Sequence, residues 1–162
     1  MASQPKHDNS YAVCHLVAVA YTLDMPRLDM IHDAVKAALK KDGWTITHDP
    51  YIIQYKELTL YADLAAEQSI AAEREGRKIA VEVKSFVGAS KLQDLKTALG
   101  QYEIYCSFLE ITDPQRKLYI AVGESVYDEF FTLESIQVIV KRLQLPLIVV
   151  NLGTEEIAKW IS

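Results

Sequence analysis

Cysteine is scarce in this 162-residue chain, which has only Cys14 and Cys106. Two, so far apart, exclude a disulfide framework and a cysteine zinc site, and fit a reducing, cytoplasmic setting. A surplus of basic charge is also missing. Lys and Arg number 17 against 22 Asp and Glu, a formal net charge of −5. Phosphate neutralisation supplies most non-specific affinity for DNA, so any such contact needs a local basic patch, a bound metal or a basic partner. There is no long hydrophobic run. Tyr11–Leu23 is apolar but too short to span a bilayer, and it lacks the basic flank and small-residue cleavage site of a secretory signal. No membrane role is expected. Nor does any internal repeat, low-complexity tract or linker divide the chain.

What is present is a globular balance, 50% hydrophobic and 24% charged, enough for one domain with a continuous core. The structural pattern begins after Met25-Pro26. Residues 1–24 therefore read as an extension ahead of an alternative start at Met25, and residues 25–162 as a single domain.

Asp29 is a helix cap and Gly43 a stop, with Ile31, Val35, Ala38 and Leu39 as the apolar stripe between them. Trp44–His48 and Tyr51–Tyr55 read as strands around an Asp49-Pro50 turn, and Leu58–Leu64 as a third. Ala65–Glu73 has the Ala and Glu content of a helix. It reads as extended nonetheless, because Ile70–Glu73 mirrors Lys78–Val83 across Gly76. Ser90 opens a long helix, with apolar residues at helical spacing from Leu92 to Leu109. Then come a strand at Leu118–Val122, short helices near Ser125–Phe131 and Leu133–Leu143, a strand at Leu147–Val150, and an edge strand at Glu155–Ile161. The order predicts an α/β domain with a mixed central sheet flanked by helices.

The chemically distinctive residues lie in the strands. Glu82 and Lys84, in Val81-Glu82-Val83-Lys84-Ser85, are two apart and share one face, opposite Ile79, Val81 and Val83. Asp63 precedes Glu82 by nineteen residues, where an antiparallel neighbour brings its carboxylate alongside. Most such Glu-x-Lys pairs are solvated faces with cross-strand charge pairing. Here Ala80 shares the face and Phe86 ends it, so partial cover is expected. Gln101, beside Ala98 and Tyr105 on the long helix, faces the same region or the helix surface.

The order of elements and the Asp63…Glu82-x-Lys84 spacing resemble the PD-(D/E)XK nucleases, whose fold is restriction-endonuclease-like. That resemblance assigns Asp63, Glu82 and the Val83 backbone carbonyl to a Mg²⁺ or Mn²⁺ ion, and Lys84 to positioning or activating water. It places Gln101 at the catalytic centre, and Asp33 or His32 of the first helix as a further metal ligand. For His32, a helix-surface or satisfied core histidine is an equal reading.

Longer blocks carry a closer likeness. His32–Lys36, Lys41–Pro50, Ala71–Glu73, Lys78–Phe86 and Thr97–Tyr102 resemble the XisH family. Its members are cyanobacterial controlling factors for excision of the fdxN element, a DNA segment removed by a site-specific recombinase during heterocyst differentiation. The likeness covers about Asp29 to Trp160. It implies DNA and a XisI-type protein as partners, with self-association open. It also implies two classes of function: a metal-dependent endodeoxyribonuclease acting on DNA, or a non-catalytic accessory protein using a nuclease fold as a scaffold.

Overall fold

A computed structural model describes residues 30–60 and 69–162. The first helix, α1, runs through residues 30–41. Gly43, at φ +87°, ends it. The Gly43 N–H returns to the Lys40 carbonyl and the Trp44 N–H to the Leu39 carbonyl, each at 3.0 Å. That pair of bonds satisfies carbonyls a helix end otherwise leaves open, and the left-handed residue between them favours glycine.

Among the described residues eight strands follow: β1 (Thr45–His48), β2 (Ile53–Tyr55), β3 (Leu58–Leu60), β4 (Ser69–Arg74), β5 (Arg77–Val83), β6 (Arg116–Gly123), β7 (Leu147–Asn151) and β8 (Glu156–Ile161). Helix α2 (Lys91–Thr112) joins β5 to β6. Helix α3 (Glu124–Val126), a π-helical turn (Tyr127–Phe131) and α4 (Glu134–Leu143) join β6 to β7.

Six strands form one sheet in the order β1-β4-β5-β6-β7-β8, and β2 and β3 pair separately. β5, β6 and β7 are mutually parallel, while β1, β4 and β8 are added antiparallel. Parallel strands are covered on both faces, which is why β6 and β7 read as nearly unbroken apolar runs. β4 is extended, as expected, despite its helix-prone composition. Its register pairs Ile70 with Val81 and Ala72 with Ile79, across a two-residue turn in which Glu75 and Gly76 both have positive φ.

The sheet has two apolar faces. On one, Val35, Ala38 and Leu39 of α1 pack with Ile79, Val81 and Val83 of β5, and with Ala121, Ile148 and Val150. On the other, Leu95 and Ala98 of α2 and Ile136 and Val140 of α4 pack with Ile120, Val122, Leu147 and Val149.

Some expectations shift. The strand expected over Tyr51–Tyr55 begins at Ile53, and β6 begins two residues before Leu118. Leu92, placed in the buried stripe of α2, is 47% exposed, because it sits to one side of the stripe that Leu95, Ala98, Tyr105 and Leu109 bury. Asp29, Asp63 and Ala65–Gln68 lie outside the described residues. Among those described, no helix is long and apolar enough to cross a membrane.

Candidate functional site

β5 presents alternate side chains to the two faces, and one polar pair breaks its apolar pattern. Glu82 registers with Ile120 of β6, which packs against α2, so Glu82 points toward that helix. Lys84 follows just past the strand end, where its N–H continues the ladder by donating to the Ala121 carbonyl at 2.9 Å. The face is closed rather than partly covered: Glu82 is 1% exposed and Lys84 2%. A charged pair in a central strand is the informative kind of burial.

Three of the expected residues come together. Lys84 Nζ lies 3.0 Å from Glu82 Oε1 and donates to Gln101 Oε1 at 2.5 Å. Gln101 stands one turn before Tyr105, which is buried against Ala80 and Leu118. Asp94, two helical turns before Gln101, adds its field. Burial strips the Lys84 ammonium of water and pushes its pKa down to about 7, against the opposing pull of the Asp94 carboxylate. Asp94 is itself held by the Gly88 N–H at 3.0 Å. A Cβ on Gly88 would collide with that carboxylate. The sequence reading missed Asp94, although its seven-residue spacing from Gln101 places both on one helix face.

The other expected residues lie apart from this cluster. Val83 ends β5 with its side chain in the α1-side core. Asp33 is exposed. His32 is buried on α1, with Nε2 2.9 Å from Asp49 Oδ1. Lys36, one turn on, donates to Asp49 Oδ2 at 2.5 Å. None of the described contacts brings His32 or Asp33 to Glu82. Instead His32, Lys36 and Asp49 tie α1 to the turn after β1. The expected partner carboxylate, Asp63, is among the residues not described. Among those that are, no group of three or more His, Cys, Asp or Glu is gathered for a metal. At the Lys84 cluster they contribute Glu82, with the Asp94 carboxylate acting from α2.

A buried charge pair is rarely a gain in stability, since desolvation offsets its attraction. A lysine shifted toward neutral pH next to a carboxylate is, by contrast, suited to proton transfer.

Comparison with known proteins finds a family model, described as XisH protein, matching residues 25–158. The chain is similar to the crystal structure of an fdxN element excision controlling factor protein from Anabaena variabilis, at 42% identity and TM-score 0.75, over 83% of this chain and 99% of that one. It is also similar to an XisH family protein from Nostoc punctiforme PCC 73102, at 40% identity and TM-score 0.75, over 82% and 99%. No curated protein matches.

Proposed function

Because this chain belongs to the XisH family, we propose that it controls excision of a DNA element of the fdxN kind, acting in the cytoplasm as a metal-dependent endodeoxyribonuclease of the PD-(D/E)XK type. The observation that carries this reading is the buried Glu82–Lys84 pair, held by Gln101, with its lowered lysine pKa.

Hydrolysis of a phosphodiester needs a proton taken from water and relief of charge gathering on the phosphoryl oxygens. Lys84, partly neutral near pH 7, takes the water proton at Nζ. Gln101 and Glu82 fix that nitrogen, so its position is set before substrate arrives. Glu82, a hard oxygen donor at the end of β5, suits a divalent cation. A magnesium or manganese ion held by Glu82, the Val83 carbonyl and Asp63 would supply Lewis acidity to the attacking water and the phosphoryl group. DNA is the substrate in this reading, and a XisI-type protein is a partner of the complex.

The test is nicking of supercoiled plasmid in Mg²⁺ or Mn²⁺. The expected result is cutting whose rate rises with pH through about 7 and is abolished in Lys84→Met and Glu82→Gln. Cutting by Lys84→Met at the wild-type rate overturns the assignment.

A second reading draws support from the net charge of −5, which favours dependence on a partner for any DNA contact. In it the chain is an accessory protein that binds DNA or a XisI-type partner without catalysis. Element excision in cells proceeding equally well with Lys84→Met decides for that reading.

A further inference from the structure

The face of the sheet away from Glu82 and Lys84 carries a second feature, unrelated to the proposed chemistry. Beyond the C-terminal end of α1 the sheet is left partly bare, and a cleft of about 710 Å³ opens there. That volume is typical of ligand clefts, roughly 300–1,000 Å³. Three aromatic rings form its floor. Trp44 and Trp160 have ring centroids 5.8 Å apart, and Tyr119 meets Trp160 edge-on at 5.1 Å. Trp160 is 37% exposed, an unusual degree for so large an apolar ring.

Cations line the walls. Arg74, Arg77 and Lys117 share this face and border the cleft, against one acidic side chain, Asp42. Arg74 is paired with Asp42 at 3.3 Å, and Arg77 with Glu75 at 3.7 Å. Lys117 has no ion pair among the described residues. Two cations lie over the rings themselves, Arg77 at 5.7 Å from the Trp44 centroid and Lys117 at 5.2 Å from that of Tyr119. In a chain of net charge −5, this concentration of positive charge beside exposed aromatic surface runs against the average composition.

We infer that this cleft binds single-stranded nucleic acid, with an unpaired base against Trp160 and the flanking phosphates against Lys117 and Arg77. Unpaired bases offer ring faces that a duplex hides, and stacking on aromatics beside a cationic track is the sequence-tolerant way to hold them. The charge complementarity favours a polyanion, and the rings favour one bearing flat π-systems. The cleft and the Lys84 cluster lie on opposite faces. Arg77 and Lys84, at the two ends of β5, are also separated by about 23 Å at strand rise. The inference therefore stands apart from the proposed cleavage.

The chain's two tryptophans, Trp44 and Trp160, both line this cleft, so intrinsic fluorescence reports on it directly. The experiment titrates the full chain with oligothymidylate and oligouridylate of about 12 nucleotides, within the usual single-strand site size, and with a duplex of equal length and polyglutamate. The expected result is saturable quenching by the single strands; comparing DNA with RNA decides which is preferred. Anisotropy of labelled oligonucleotide should show roughly tenfold weaker binding for Trp160→Ala, from the loss of a stacked base. Lys117→Ala, an exposed change that spares the fold, should lower the slope of log affinity against log salt by about 0.7 for one lost phosphate contact. Lys141→Ala, an exposed lysine of α4 on the other face, should bind as wild type does, which separates this site from general attraction to surface charge. The inference is overturned if no single strand binds saturably at low salt, or if Trp160→Ala and Lys117→Ala bind unchanged. It is also overturned if the duplex binds as tightly as the single strand, or if polyglutamate binds more tightly, which assigns the cleft to an acidic protein segment.

Discussion

At the scale of single residues, two ionisable groups, Asp49 and Lys84, are shifted in ways that set how stability depends on pH. Asp49 accepts hydrogen bonds from Lys36 and contacts His32. Burial raises its pKa, but the bonds from Lys36 and His32 outweigh burial and hold it below the ordinary 3.8. The charged form is thus favoured by folding. Its contribution is fully present above the ordinary value and is lost as pH falls through the folded one. Asp49→Asn should cost about 2 kcal/mol at neutral pH, the worth of charge-assisted bonds. In urea denaturation that deficit should shrink below pH 4. Lys84 carries the opposite sign. Its folded pKa of about 7 lies below the ordinary 10.5, so between those values the unfolded chain binds more protons and stability rises with pH. Wild type should therefore gain stability relative to Lys84→Met from pH 7 to pH 10. A constant difference between the two would show that burial does not perturb the lysine. The placing of Glu82 and Lys84 on one face was legible from strand alternation alone. Their complete burial was not, because it depends on α2 lying across that face.

Elements were legible where the pattern is periodic or punctuated by caps and turns. Gly43, the Glu75-Gly76 turn, Ser90 and the apolar runs of β6 and β7 announced themselves. β4 was a conflict between propensity and pairing, and cross-strand packing decided it. The tie between His32 and Asp49 joins residues seventeen apart through the entry to a turn, and no periodicity marks it. α2 positions both Gln101 and Asp94, so its N-terminal end bears on the site. The Ser90 hydroxyl accepts the Gln93 N–H at 3.3 Å as a cap. Ser90→Ala should destabilise by about 1 kcal/mol and Ser90→Gly by only a few tenths, measured by chemical denaturation. Gly88→Ala acts on the same helix end by driving out the Asp94 carboxylate. The carboxylate is the free end of a side chain and can turn away, so the cost is the lost Gly88–Asp94 hydrogen bond, about 1 kcal/mol.

At the scale of the whole molecule, the sheet separates two surfaces: a buried acid–lysine cluster under α2 and an aromatic, basic cleft beyond α1. The second escaped the sequence reading because Trp44 and Trp160 are 116 residues apart and meet only through the sheet register. If Glu82 contributes to cation binding, Mg²⁺ or Mn²⁺ at ten times its dissociation constant should stabilise the fold by about 1.4 kcal/mol. For a domain of this size that is a melting shift of roughly 3–5 °C, absent in Glu82→Gln and in EDTA. An unmoved melting curve argues for the accessory reading. β5 is shared by both surfaces, with Arg77 and Ile79 turned to one and Glu82 to the other. It therefore behaves like a reading frame. One residue inserted between Ala80 and Val81 exchanges every downstream side chain between faces, sending the carboxylate into the hydrocarbon beneath α1. Two inserted residues restore the parity but displace Glu82 by about 7 Å along the strand, out of reach of its partners on α2. Changes in length are consequently excluded from this strand.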